Sequence, residues 1–234
     1  MSSLGDLGEV EAIKRLVANL SNREDVRTGP GDDAAVVSGH AEYDLVLTSD
    51  PLIEGTHFLP GDPGESVGHK ALGRTLSDNA AMGGEPMWTL VNVVAPSSTD
   101  MERLESAYRG INTLAERYGV AVVGGDVAEG PGFQLHVFTV GRVPPGGALL
   151  RSGAKTGDRI YVTGKLGGSR EGKHLTFEPR IEEALWLREE GWPHAMMDLS
   201  DGLATDLRHL MEASGVGATL VQESIPVSPD AQSD

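Results

Sequence analysis

The chain has 234 residues, with 35 Asp and Glu against 19 Lys and Arg, a formal charge of −16 and no cysteine. The charge argues against a nucleic-acid backbone or an anionic membrane as partner, since both reward clustered cations. The missing cysteines exclude a disulfide scaffold, a thiolate metal site and a cysteine nucleophile. The length suits one large domain or two small ones. Residues 1–17 carry acids among their apolar positions and do not read as a signal peptide. No run of 18 apolar residues offers a membrane span, so a cytoplasmic protein is expected. Glycine stands out: 31 of 234 residues is about 13%, against a usual value of about 7%. That excess predicts tight turns and close approaches of backbone to ligand.

In chain order, residues 8–17 read as a short amphipathic helix and 44–50 as a buried strand ending in polar residues. Residues 66–82 are good helix formers, stopped by Gly83, Gly84 and Pro86. Residues 88–94 predict a strand. Residues 101–118 predict the clearest helix, with Leu104, Ala107, Tyr108, Ile111, Leu114, Ala115 and Tyr118 on one stripe and Gly119 as its stop. Strands over 120–123 and 134–140 flank a loop rich in glycine and acids. The order helix, strand, strand, helix, strand, helix, strand, strand predicts an α/β or α+β unit, residues 1–143. After the linker-like Gly141-Arg142-Val143-Pro144-Pro145-Gly146-Gly147, residues 144–234 predict a smaller second unit. It has strands over 158–163 and at Met196-Met197, helices over 181–190 and along Leu203, Leu207, Leu210 and Met211, and a polar tail over 228–234.

The acids fall beside small residues at expected element ends: Gly31-Asp32-Asp33-Ala34-Ala35, Thr48-Ser49-Asp50, Ser77-Asp78-Asn79, Gly124-Gly125-Asp126 and Asp198-Leu199-Ser200-Asp201-Gly202. Singly, Asp32 or Asp33 reads as a turn residue and Asp201 as a helix N-cap. Asp50 and Asp126 each follow an apolar strand, where loops commonly build sites. So many carboxylates at one place repel one another and raise their own pKa values, and hard divalent cations relieve that. Mg²⁺ takes oxygen ligands from carboxylates and substrate phosphates, and neighbouring glycines let backbone N–H groups approach phosphate. A polyphosphate held by several Mg²⁺ ions is the economical reading, with Thr48, Ser49 and Ser200 as hydroxyl ligands or donors. The familiar nucleotide motifs are absent. Thr163-Gly164-Lys165-Leu166 lacks the earlier glycine, where Arg159 stands, and the final Ser or Thr of a P-loop. No Gly-x-Ser-x-Gly elbow is present. His194 and His209 read as ordinary surface or core histidines, and Lys70 and Arg74 as a solvated helix face.

These segments resemble the thiamine-monophosphate kinase family, of the superfamily shared with aminoimidazole ribonucleotide synthetase and selenophosphate synthetase. The resemblance rests on Leu7-Gly8-Glu9, Gly31-Asp32-Asp33-Ala34-Ala35, the run from Thr48 through Asp50, Leu52, Glu54, Gly55 and His57 to Phe58, Lys70-Ala71-Leu72, Leu76-Ser77-Asp78-Asn79-Ala80-Ala81-Met82-Gly83-Gly84-Glu85-Pro86 and Gly124-Gly125-Asp126. In the second unit it rests on Arg151-Ser152-Gly153-Ala154, the run from Gly157 to Gly164 and Met197-Asp198-Leu199-Ser200-Asp201-Gly202-Leu203. The resemblance implies a two-domain α/β (α+β) aminoimidazole ribonucleotide synthetase-like fold, whose first domains pair into a dimeric barrel beside ATP. It implies direct transfer of the γ-phosphoryl group of ATP to the phosphate of thiamine monophosphate. The transfer is metal-assisted, with no covalent or general-base residue. Implied Mg²⁺ ligands are Asp33, Thr48, Ser49, Asp50, Asp78, Asp126, Asp198 and Asp201. Implied ATP contacts are Gly125, Asp126, Arg151 and Ser200, with His57 near the thiamine phosphate.

The family pattern runs on into a Gly-Glu/Asp-Asp-x-Glu-Leu segment and a late aromatic that help hold the thiamine ring, and neither occurs in this sequence. The second unit is therefore expected to be incomplete, with an exposed apolar face. The other readings are a nucleotide-binding remnant of the family or a related ATP-dependent synthetase. The missing cysteine and Asp50-Pro51-Leu52-Ile53-Glu54-Gly55, where purine enzymes carry Asp-Gly-Val-Gly-Thr-Lys, favour the kinase.

Overall fold

The computed structural model describes residues 4–18, 20 and 23–231. The last three residues of the expected polar tail lie outside them. Two short helices, α1 (Leu4–Leu7) and α2 (Glu9–Val17), precede strands β1 (Val26–Thr28), β2 (Ala35–His40) and β3 (Tyr43–Ile53). Helix α3 (Gly64–Ala81), β4 (Glu85–Ala95), α4 (Met101–Arg117), β5 (Ala121–Glu129) and β6 (Gln134–Val143) follow. The strands form one mixed sheet in the order β1-β2-β3-β6-β4-β5. Only β4 and β5 run parallel; the other pairs are antiparallel.

Helices α3 and α4 cover one face. Buried Leu72, Leu76, Ile111 and Leu114 meet Val91, Leu135 and Val137 of the sheet. Removing such side chains from water is worth about 1.5–3 kcal/mol each. The two helices touch backbone to backbone. A Cβ at Gly68 would stand 1.8 Å from the Ala107 carbonyl oxygen, and one at Gly110 would stand 1.9 Å from that of Glu65. Asp100 caps α4 by accepting the Glu102 N–H, and Gly119, at φ 67°, stops the chain beyond it. These local signals place α4 where its apolar stripe predicts.

The strands extend further than the apolar runs suggest. Asp50 lies within β3, paired with Val137, and Asp126 lies within β5, paired with Asn92. Neither acid sits in a loop after its strand, and the expected Gly-rich loop is itself the second half of β5. A ladder is held by backbone groups, so it continues past polar side chains wherever a partner strand remains. Gly141-Arg142-Val143 likewise belong to β6, not to a linker.

In residues 144–231, helices α5 (Lys173–Thr176), α6 (Ile181–Glu190) and α7 (Leu203–Ser214) form, with short 3₁₀ turns at Ser169–Glu171 and Gln222–Ser224. The expected strands over 158–163 and at Met196-Met197 do not form. An isolated extended run cannot satisfy its N–H and C=O groups as a strand; Met196 N–H makes a single bond to the Leu150 carbonyl at 2.9 Å, and among the described residues no strand pairs with either run. Ile160 and Tyr161 stand exposed, as do Trp192 and Val221. Helix α6 buries Ile181 and Ala184 in the main core. Arg188 donates to the Gly83 carbonyl at 2.5 Å, and His69 contacts the Phe177 carbonyl at 2.7 Å. Among the described residues no helix is long and apolar enough to cross a membrane.

Candidate active site

Four acids from four places in the chain face one another on the helix-covered side of the sheet. Asp33 precedes β2, Asp50 lies in β3, Asp78 in the last turn of α3, and Asp198 in the segment before α7. Thr48 Oγ1–H donates to Asp78 Oδ2 at 2.5 Å, and Ser77 Oγ–H donates to Asp198 Oδ2 at 2.8 Å. Arg151 pairs with Asp33 at 2.5 Å, and Arg74 with Asp50 at 3.0 Å. Thr48 and Asp50 alternate with Ser49 along β3, so Ser49 emerges exposed on the other face.

Electrostatics mark this cluster. Burial, with the charges of Asp198, Asp50 and Asp33, pushes Asp78 up from 3.8 to about 8. Burial, with the charges of Asp198 and Asp32, pushes Asp33 up to about 7 against the pull of Arg151. Burial raises Asp198 too, with Asp206 and Asp50 adding repulsion. Burial raises Asp50, against the lowering effects of Arg74 and His57. Carboxylates so arranged resist ionisation until cations arrive.

Among the described residues no three acidic or histidine side chains converge as a ready metal cage. The geometry still fits magnesium, which takes one or two carboxylates and completes its shell from water and phosphate oxygens. Buried Asp33 Oδ2 has no hydrogen-bond partner, an acceptor left open. Of the expected ligand residues, the chain brings together Asp33, Thr48, Asp50, Asp78 and Asp198.

The remaining expected residues are placed differently. Asp201 is exposed, and its N–H bonds to Asp206 at 3.1 Å. Asp206 accepts equally from the N–H groups of Ser200 and Gly202, both at 3.0 Å, and so shapes the segment carrying Asp198. Asp32 accepts the Arg151 N–H at 3.1 Å, tying that segment to the acids. Gly125 and Asp126 are exposed on the edge strand, three strands from β3. That separation is about 14 Å. Asp126 shares its row with Asn92, His136 and Pro51, the face opposite to Asp50. One copy of the chain therefore does not bring Asp126 to the cluster. Gly124, Gly125 and Asp126 instead line an open cavity of about 680 Å³ with Tyr108. A Cβ at Gly125 would stand 1.8 Å from the Val91 carbonyl oxygen, and its φ of 154° also favours glycine.

His57 accepts the Ile53 N–H at Nδ1 (2.9 Å), which leaves its proton on Nε2. Burial and the neighbouring cations Arg74 and Lys70 lower its pKa. Lys70 and Arg74 are not a solvated face. Lys70 Nζ donates to the His57 carbonyl at 2.5 Å, and Arg74 reaches both Asp50 and the Pro51 carbonyl. Sequence reasoning also missed Ser77, Tyr108 and Asp206. Of these, Asp206 had a signal, as an acid in the first turn after a Ser-Asp-Gly entry.

Residues 31–143 match the family described as AIR synthase related protein, N-terminal domain. The thiamine-monophosphate kinase of Salmonella typhimurium is 37% identical over 94% of this chain and 74% of its own length. That of Aquifex aeolicus is 33% identical over 97% and 77%. A solved structure described as AaThiL complexed with AMPPCP and TMP superposes with a TM-score of 0.90 at 32% identity, covering 98% of this chain and 78% of that one. The HypE–HypF complex, at 23% identity and a TM-score of 0.73, shares the fold alone. The chain belongs to the thiamine-monophosphate kinase family.

Proposed function

We propose that the chain transfers the γ-phosphoryl group of ATP directly to the phosphate of thiamine monophosphate, giving thiamine diphosphate and ADP. The observation that carries this reading is the group of mutually repelling acids, Asp33, Asp50, Asp78 and Asp198, which the fold buries together. The relative solved with an ATP analogue and TMP supports the choice of substrates. Bound magnesium would neutralise phosphate charge and hold the two phosphates in alignment. Asp33, Thr48, Asp50, Asp78 and Asp198 would hold it, with Ser49 and Asp201 able to contribute backbone or exposed oxygens. The chain's own residues orient and exclude water. Thr48 and Ser77 fix two carboxylates, and Asp206 fixes the Asp198 segment. Arg151, now on Asp33, would turn to the nucleotide, and Ser200 would be a further contact. The attacking oxygen belongs to an ionised phosphate, so no side chain needs to remove a proton.

Residues 1–143 form the nucleotide and dimerisation unit in this reading, and 144–234 the second. The proposal extends to a homodimer. Trp88, Leu90, Val123, Phe138 and Val140 line a largely apolar depression of about 340 Å³ on the uncovered face of the sheet. Burying that face against a second copy is a natural way to remove it from water. It would also give Gly125 and Asp126, stranded on the edge of one copy, a site on the other. Cytoplasmic residence, where ATP and magnesium are supplied, belongs to the same proposal. The test is incubation with ATP, Mg²⁺ and thiamine monophosphate, followed by chromatography. Thiamine diphosphate that vanishes with EDTA supports the reading. Retained nucleotide binding with no product would assign the chain to a non-catalytic nucleotide binder.

A further inference from the structure

Arg151 is held more firmly by its peptide than by its side chain. Its guanidinium makes one bond, from Nη2 to Asp33 Oδ1 at 2.5 Å. An arginine facing a carboxylate can bond through two parallel N–H groups, yet here Arg151 Nε and Asp33 Oδ2 are both buried without a hydrogen-bond partner. Groups left unmet in this way make the pair a loose one. The Arg151 backbone is the reverse. Its N–H lies 3.1 and 3.2 Å from the two carboxylate oxygens of Asp32, and its carbonyl accepts the Ser214 hydroxyl at 2.8 Å. Ser214 Oγ in turn accepts the Ala154 N–H at 3.1 Å. Residues 151–154 belong to no strand of the sheet, and these side chains take the place of a ladder for them.

The two clamps come from far apart in the chain. Asp32 stands in the turn before β2, next to Asp33, whose N–H it also accepts at 3.0 Å. Ser214 is the last residue of α7, and it stands about 12 Å along the axis from Asp206. Helix α7 thus organises the segment bearing Asp198 at its first turn and the peptide of Arg151 at its last.

We infer that Asp32 and Ser214 are positioning residues for Arg151: they fix its peptide, so that the guanidinium exchanges Asp33 for a nucleotide phosphate by side-chain rotation alone. The exchange frees a carboxylate oxygen for the cation as the arginine takes up phosphate charge. A peptide fixed beforehand removes part of the ordering cost of binding. That Arg151 meets the nucleotide rests on the proposed function; the clamp rests on the bonds to its peptide.

The experiment is a double-mutant cycle on the full chain, read as affinity for a non-hydrolysable ATP analogue in Mg²⁺. Ser214→Ala removes both bonds of the hydroxyl and should weaken binding about 5–30-fold. In an Arg151→Met background the same change should cost less than about twofold, since no guanidinium is left to place. Urea unfolding should show the opposite pattern, an equal loss of stability in both backgrounds, because the bonds are to backbone. Ser214→Thr keeps the hydroxyl and should recover most of the affinity. Equal losses of affinity with and without Arg151, no loss from Ser214→Ala in a folded chain, or no recovery with Ser214→Thr would overturn the inference and leave the nucleotide reading intact. If Arg151→Met leaves affinity unchanged, or the unaltered chain binds no ATP analogue, the nucleotide reading of Arg151 falls and the inference with it. If Ser214→Ala fails to fold, Asp32→Ala in the same cycle decides.

Discussion

Replacing Asp78 by Asn should stabilise the metal-free protein while abolishing its chemistry. The folded protein holds the Asp78 carboxyl at a pKa of about 8, against 3.8 as its ordinary value. At about pH 7.5 the unfolded chain has released this proton and the folded one retains it. The difference of about 3.7 units, at about 1.4 kcal/mol each, is a folding penalty of at most about 5 kcal/mol. Asn has no proton to take up on folding, but it alters the bond from Thr48, which is neutral in the folded state at this pH and worth about 0.5–1.5 kcal/mol. The net gain is at most about 3.5–4.5 kcal/mol, or roughly 7–18 °C in Tm for a chain of this size. Thermal unfolding in EDTA at pH 7.5 measures it. Turnover with Mg²⁺ should meanwhile fall at least about 1,000-fold, since a charged oxygen ligand is lost. A variant that melts at or below the parent temperature, or that keeps Mg²⁺-dependent turnover, would refute the reasoning.

Other expectations follow from the same geometry. Asp33, Asp78 and Asp198 are raised, so between pH 4 and 8 the folded state holds more protons than the unfolded one. Metal-free stability must therefore fall as pH rises through that window, and Mg²⁺ with nucleotide should raise Tm more at pH 8 than at pH 5.5; melts at both values check the sign. Gly68→Ala drives a methyl into the Ala107 carbonyl and should cost about 3 kcal/mol or more in urea unfolding. Asp206→Ala frees three N–H groups and should weaken ATP-analogue binding about tenfold or more, with Asp206→Asn intermediate. Leu90→Arg on the exposed sheet face should shift the protein from dimer to monomer in light scattering, and an unchanged mass would argue against that interface.

Much of residues 1–143 was legible because local and tertiary signals agree. Met101–Arg117 has its cap, stripe and stop in the sequence, and the helix ends where they say. The strands were legible as apolar runs but not in extent, because pairing carries β3 and β5 past the apolar residues through Asp50 and Asp126. The apolar runs at 158–163 and 196–197 failed for the opposite reason: the pattern is present and no partner strand is, among the described residues. The site was legible as a list of acids, and not as two faces of a sheet. Residue parity along β3 separates Ser49 from Thr48 and Asp50, but the position of Asp126 depends on strand order, which no local pattern encodes. Lys70 and Arg74 sit at ordinary helix-surface spacing, and only tertiary neighbours, His57 and His174 for Lys70 and β3 for Arg74, turn them inward.

Direct phosphoryl transfer is read most plainly from where the label of γ-labelled ATP goes. Incubated with Mg²⁺ and thiamine monophosphate, the chain should move the label to the terminal phosphate of thiamine diphosphate, one for each ADP formed. No label should remain on the protein. Label released as inorganic phosphate, retained on the protein, or left on ATP while nucleotide binding is intact would contradict it.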